Sequence, residues 1–544
     1  MIPNNLYFSI ADVYPMQLSS PSEIFSAKVI ASKKQAHRPL PSIPALLVLC
    51  LACFPLFLAG QSDSKDKAKP KPIPPLKAFV TQHQGTFGGQ VVKYTATAEE
   101  IHLTDKEGEI NAALWSVAYT QDGVTDYSKR PVTFVFNGGP GSASVWLHMG
   151  LFGPKLVQVD SDAKTDDGAA PYPLIDNPYG LLDLTDIVFI DPVGTGFSQV
   201  VGEGKTEDFW GLNEDASSIA QFIRLWVGKH KRWNAPKYIA GESFGTTRAA
   251  GVAYELTQGG QNMALNGLIM ISQALDYTGS TPVHDNLIAF VTYLPTMAAT
   301  AWYHKKAGEG MALEAFVQQA RDFALDEYAP ALFRGSKLTP EKKQYIAQRL
   351  SSFIGLDQSY ILQSDLRVLV PRFLKELLRD KGRVLGNLDS RYLGDEADVM
   401  AERPTLGDAA SYAISSAYTA ALNHYFATDL KVEMDRPYLT SNGSLYPKWN
   451  WRPVPKEAGW EPSYVNVSRK LSDVLRQNKD LKVMVANGYY DLVTPFFDAE
   501  YTFARHGILQ DRIAMKYYEA GHMMYTHQPD LMQLAADIRA FLKP

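Results

Sequence analysis

Short apolar runs bounded by polar and glycine-rich turns recur along much of this chain. They alternate with stretches in which apolar residues return every third or fourth position. NAALWSVAYT (111–120), PVTFVFNGG (131–139), TDIVFIDPVG (185–194), PKYIAG (236–241) and LNGLIMIS (265–272) are β-branched and aromatic, and predict strands. The polar QDGVTDYSKR between the first two predicts a hairpin. Over 213–230, Ile219, Phe222, Ile223, Trp226 and Val227 form the apolar stripe of a helix packed on a sheet, and TTRAAGVAYEL (246–256) predicts a second helix. Strand–helix–strand alternation argues for a mainly parallel sheet covered on both faces.

The pattern changes between 280 and 435, where FVQQARDFALDEYAPALF, EKKQYIAQRLSSFIGL and VPRFLKELLRDKG all have helical period and strand candidates nearly vanish. This stretch is read as an inserted helical cap. Strands resume at DLKVMVANG (480–488) and DRIAMKYYEAG (511–521), and PDLMQLAADIRAFL (529–542) predicts a last helix. The predicted class is therefore α/β, with a mainly parallel central sheet flanked by helices. The sheet portion is split by the cap into 80–279 and 436–544.

Ahead of that body, Lys33, Lys34 and Arg38 precede the apolar run ALLVLCLACFPLFLAG (45–60), which has the form of a secretory signal occupying 1–60. Pro55 interrupts it, and it is shorter than the roughly 20 residues a spanning helix needs, so no membrane span is expected in the mature chain. Residues 61–79, rich in Lys and Pro, predict an extended linker. Both cysteines, Cys50 and Cys53, fall inside the signal, so the mature chain would hold no disulfide. Export without cysteine suits a bacterial periplasmic or secreted protein. The formal net charge of -5 offers no basic field for nucleic acid, and no metal-ligand spacing or phosphate loop stands out; no cofactor is expected.

Candidate chemistry centres on IAGESFG (239–245), a G-x-S-x-G between a predicted strand and helix, the context of a nucleophile elbow in the α/β-hydrolase fold. A serine hydroxyl needs a base to take its proton, and the base needs a carboxylate to fix its tautomer. In that fold the chain order is Ser, acid, His. Among the late histidines, only His522 follows a predicted strand directly, and Asp491 lies in the loop after VMVANG. Ser243, Asp491 and His522 are the predicted catalytic residues. The oxyanion needs two donors; the backbone N–H groups of Phe244 and of Gly139, in the loop FNGGPGSASVW (136–146), are the predicted pair.

FNGGPGSAS (136–144), DPVGTGFS (191–198), GESFG (241–245), NGYYD (487–491) and AGHMM (520–524) together resemble the serine carboxypeptidase family, over about residues 80–544. The resemblance implies that Asn137 and Glu242 hold the free C-terminal carboxylate of a peptide, with Gly138 beside them in the substrate-binding set. A protonated glutamic acid can donate to a carboxylate, whereas an ionised one repels it. Two departures stand out. Leu151 occupies the position of a second glutamate that shares a proton with the first, and Ser142 replaces a disulfide cysteine. The expected function is a serine-type carboxypeptidase acting on peptides with a free C-terminus through an acyl-enzyme on Ser243. An esterase or acyltransferase using the same triad is the alternative.

Overall fold

The computed structural model describes residues 72–159, 163, 168–454, 459 and 464–543. The apolar segment 45–60, its basic flank, both cysteines and the linker up to residue 71 lie outside the described residues. Among the described residues, no helix is long and apolar enough to cross a membrane.

Ten strands form one sheet: β1 (Ala78–Phe87), β2 (Gln90–Thr104), β3 (Ile110–Gln121), β4 (Val132–Phe136), β7 (Asp186–Ile190), β8 (Gln199–Val200), β9 (Lys237–Glu242), β10 (Gly267–Ile271), β13 (Lys482–Gly488) and β14 (Ile513–Tyr518). Two small antiparallel pairs lie apart from it, β5 (Lys155–Val157) with β6 (Leu174–Asp176) and β11 (Arg383–Leu385) with β12 (Leu393–Asp395). The order across the large sheet is β1-β2-β3-β7-β4-β9-β10-β13-β14, with β8 against β3. From β7 to β14 every pairing is parallel, and β1 to β3 form an antiparallel wing. This matches the α/β-hydrolase expectation.

The predicted hairpin of β3 and β4 does not form. β7 lies between them, antiparallel to β3 and parallel to β4. The reason lies in burial: β4 and β7 are buried along their whole length, as a strand covered on both faces must be. The polar connection 121–131 carries the chain past the β7 position instead of turning it back, and β3 finds its hairpin partner in β2. The β1–β2 ribbon has no apolar run at β1, which alternates exposed and half-buried positions from Ala78 to Thr86 and buries only Phe87.

Alternate residues of the central strands enter two separate cores. Phe134 and Phe136 of β4 face one, with helices Leu212–Lys229 and Phe244–Gln258; Val135 faces the other, with helices Ala409–Thr428 and Gln528–Leu542. A third core gathers helices Leu287–Tyr303, Leu313–Phe323, Pro340–Ile354 and Val370–Glu376 around Tyr489, Tyr490 and Phe496 from the segment after β13. The strand ends that carry the candidate residues therefore meet helical structure from 287 onward.

Candidate active site

β9 ends at Glu242 and the helix Phe244–Gln258 begins one residue later, so Ser243 makes the whole turn at φ 59°, ψ −130°. That conformation is costly for a residue with a Cβ and persists only where the surroundings impose it. They do: Ser243 N–H donates to the Ile271 carbonyl (2.9 Å), and its own carbonyl accepts from the Thr246 N–H and hydroxyl (both 2.8 Å). The flanking glycines are steric necessities. A Cβ at Gly241 would lie 2.2 Å from the Gly245 carbonyl oxygen, and one at Gly245 would lie 2.9 Å from that of Phe136.

The 137–144 loop presses against this turn. A Cβ on Gly138 would sit 2.5 Å from the Phe244 nitrogen, and Gly139 has φ +106°. Arg248, buried on the elbow helix, clamps the loop by donating to the carbonyls of Asn137 and Pro140, and its charge is met by Asp215 Oδ2 at 2.6 Å. Asp191, from the DPVGTGFS block, accepts from the N–H (2.8 Å) and hydroxyl (2.9 Å) of Ser144 at the loop's far end. A strip at 440–442 completes the hold: Ala143 N–H donates to the Thr440 carbonyl (3.1 Å), and Asn442 N–H to that of Gly141 (2.8 Å). Arg248, Asp215 and the 440–442 strip carry no sequence signal of their own, because each acts on residues far away along the chain.

His522 and Asp491 come from the segments after β14 and β13, which are adjacent in the sheet. His522 Nδ1 lies 2.7 Å from Asp491 Oδ2. The other carboxylate oxygen, Oδ1, accepts from the N–H groups of Val493 (2.8 Å) and Thr494 (3.0 Å), and the Thr494 hydroxyl donates to Oδ2 at 2.7 Å. Burial opposes a charged imidazole, but the Asp491 charge and hydrogen bond outweigh it, with Glu242 adding, so the His522 pKa lies above its ordinary value. With Nδ1 turned to Asp491, Nε2 is the nitrogen left to move protons.

Glu242 is buried beside these groups. Asn137 Nδ2 donates to its Oε1 at 2.9 Å, and the Asn137 amide is oriented by its own Oδ1 accepting from Leu147 N–H at 3.0 Å. Burial pushes the Glu242 carboxyl up to about 7, against the opposing pull of His522, Tyr525 and Asn137. Tyr525 Oη draws the carboxyl's pKa down, yet neither it nor Glu242 Oε2 completes a hydrogen bond within the described protein. Leu151 is fully buried in the apolar core and its side chain brings no polar atom; its carbonyl accepts from Asn177. Tyr525 stands three residues after His522, and its ring lies where a Cβ on Gly150 would be, at 2.5 Å. Sequence reasoning missed it, since a tyrosine after a histidine carries no pattern.

A cavity of about 310 Å³ opens here, and Asn137, Gly138, Gly139, Glu242, Ser243 and His522 all line it. Asp491 lies behind His522, and the Phe244 ring packs away from the cavity in edge contact with Trp449 and Trp451. Val370, Leu374 and Ile414 supply apolar surface on the helical side. Among the described residues, no cluster of His, Cys, Asp and Glu has the makings of a metal site. The arrangement is suited to acyl transfer: a strained serine, an oriented imidazole, a glycine loop pressed against the serine's turn, and a carboxyl poised to change charge near neutrality.

Residues 107–323 match the family model for serine carboxypeptidase, a span that includes the 137–144 loop and Ser243 but ends before Asp491 and His522. The human retinoid-inducible serine carboxypeptidase is 29% identical over 187 residues, 34% of this chain and 37% of that protein. Serine carboxypeptidase-like 20 of Arabidopsis thaliana is 29% identical over 191 residues, 35% of each. The matched stretch thus spans little more than a third of either relative. Among solved structures, Kex1(Δ)p, a prohormone-processing carboxypeptidase from Saccharomyces cerevisiae, superposes with a TM-score of 0.51 at 15% identity, covering 83% of this chain and 91% of that one. At that identity the likeness speaks for the shared fold.

Proposed function

We propose that this relative of the serine carboxypeptidases is itself a serine-type carboxypeptidase that releases the C-terminal residue of peptides. The observation that carries the reading is the Glu242–Asn137 pair beside Ser243, a neutral-capable carboxyl and an oriented amide in the cavity wall. Together they suit a carboxylate ligand: the protonated Glu242 and the amide both donate to it.

In the proposed reaction Ser243 Oγ attacks the carbonyl carbon of the last peptide bond while His522 Nε2 takes its proton. Charge developing on the carbonyl oxygen is met by the N–H groups of Gly139 and Phe244. His522 returns the proton to the departing amine, the C–N bond breaks, and the C-terminal amino acid leaves. Water, deprotonated by His522, attacks the acyl-Ser243 ester and restores the hydroxyl. Asp491 keeps Nδ1 protonated throughout and stabilises the imidazolium. The basic-flanked apolar segment 45–60 supports export, to the periplasm or outside a bacterial cell.

The test compares N-blocked dipeptides bearing free and amidated C-termini across the acid-to-neutral range. Free-acid peptides are expected to be cleaved and amidated ones spared. Equal cleavage of both at every pH overturns the carboxypeptidase reading. Leu151, in place of a second glutamate, is what favours an esterase as the competing reading; fast turnover of blocked amino-acid esters with no peptide hydrolysis would establish it.

A further inference from the structure

The cavity holds one feature the reaction does not use. Its lining includes a single arginine, Arg403, and no lysine. Arg403 belongs to the segment between β12 and the helix Ala409–Thr428, whereas Asn137 follows β4 and Glu242 ends β9.

The segment around it is firmly held. Glu396 forms a buried ion pair with Lys375 (2.6 Å) and accepts from the Thr405 N–H, while Lys375 also donates to the Asp398 carbonyl at 2.6 Å. Arg372 pairs with Glu402 at 3.1 Å. Asp408 caps the following helix by accepting from Ser411 N–H (3.0 Å), and also takes the Asn387 N–H. With the Asp398 carboxylate accepting from Met400 N–H at 3.0 Å, every acidic side chain of the segment has a partner already. The Arg403 guanidinium has no hydrogen bond or ion pair to any described residue, although its backbone is fixed on both sides. Exposed at the cavity with no protein partner, this fork of five donors is matched by a carboxylate, which it can bind bidentately.

We propose that Arg403 binds a side-chain carboxylate of the substrate, so that the enzyme prefers peptides with an acidic residue next to the scissile bond. This rests on the peptidase reading above. Arg403 then acts as a specificity determinant, with the α-carboxylate left to Asn137 and Glu242.

The experiment uses isosteric pairs of blocked dipeptides with free C-termini, assayed at about pH 6, where a substrate glutamate is ionised. Glu and Gln are compared in the leaving residue in one pair and in the acyl residue in the other. In the wild-type enzyme one pair is expected to favour Glu, and the pair that does so identifies the side of the cut. Arg403→Gln should lower that Glu/Gln ratio of kcat/KM by about tenfold, and Arg403→Glu should lower it further. Rising salt should erode the wild-type preference, since the arginine is exposed. Glu/Gln ratios unchanged by both substitutions overturn the proposal while leaving the peptidase reading intact. A second readout does not require peptide cleavage: blocked Glu should protect Ser243 from a fluorophosphonate better than blocked Gln, and Arg403→Gln should abolish that difference. Equal protection in both proteins counts against Arg403 even if the peptidase reading has failed.

Discussion

Asp491 accepts from the N–H groups of Val493 and Thr494, from the Thr494 hydroxyl and from His522, whereas Glu242, also buried, accepts from Asn137 and feels the Tyr525 hydroxyl, with no hydrogen bond completed at Oε2 among the described residues. Both carboxyls act on the same imidazole. One sits among donors that satisfy an anion; the other sits in a place where burial dominates and lifts its pKa to about 7. The difference teaches that environment, not residue type, sets apart two buried carboxyls: one is surrounded by donors, and the other can hold its proton, as the proposed carboxylate binding requires.

The sharpest break of that contrast is Asp491→Asn, which leaves the volume unchanged but offers His522 a donor. It should lower kcat by about 10⁴-fold on peptides and esters alike, measured in steady state with Ser243 titrated by a fluorophosphonate. Glu242→Ala should behave differently, costing roughly ten- to a hundredfold in kcat/KM on free-acid peptides and far less on blocked esters. Equal losses on the two substrate classes would remove Glu242 from carboxylate binding.

The pH profile sharpens the comparison further. Protonated Glu242 is the donating form, so kcat/KM on free-acid peptides should fall as pH rises through about 7. Esters, which do not need that proton, should instead gain as His522 loses its own. Glu242→Gln removes the alkaline limb, and it also removes one of the charges that raise His522, so the ester profile should move to lower pH. The smallest effect belongs to Tyr525→Phe. Because Tyr525 draws the Glu242 pKa down, its loss should shift the alkaline limb for free-acid peptides to higher pH. An unmoved limb would mean that the hydroxyl has no hold on Glu242.

What could be read in the sequence follows how local each feature is. The elbow and the glycine loop are each carried by consecutive residues, Asp491 and His522 each by a short run after a strand, and the parallel strands by unbroken apolar runs, so their places in the fold are legible. Strand neighbours are not: β3 and β4 are successive in the chain, yet β7 separates them. Nor are partners that meet only on folding. Arg248 reaches Asn137 across 111 positions of sequence, and Tyr525 comes beside Glu242 from a segment whose pattern speaks only of His522. The unpartnered state of Arg403 is a property of its neighbours' pairings, and no motif records it.

The strip at 440–442 that grips the 137–144 loop has a practical meaning. Where the resemblance has a disulfide cysteine, this chain has Ser142, and the loop is joined to its neighbour by main-chain hydrogen bonds such as that of Asn442 to Gly141. Both cysteines of the chain fall before the described body. The 137–144 loop is thus held by a fastening with no redox state. Thiol reagents should leave those main-chain bonds intact.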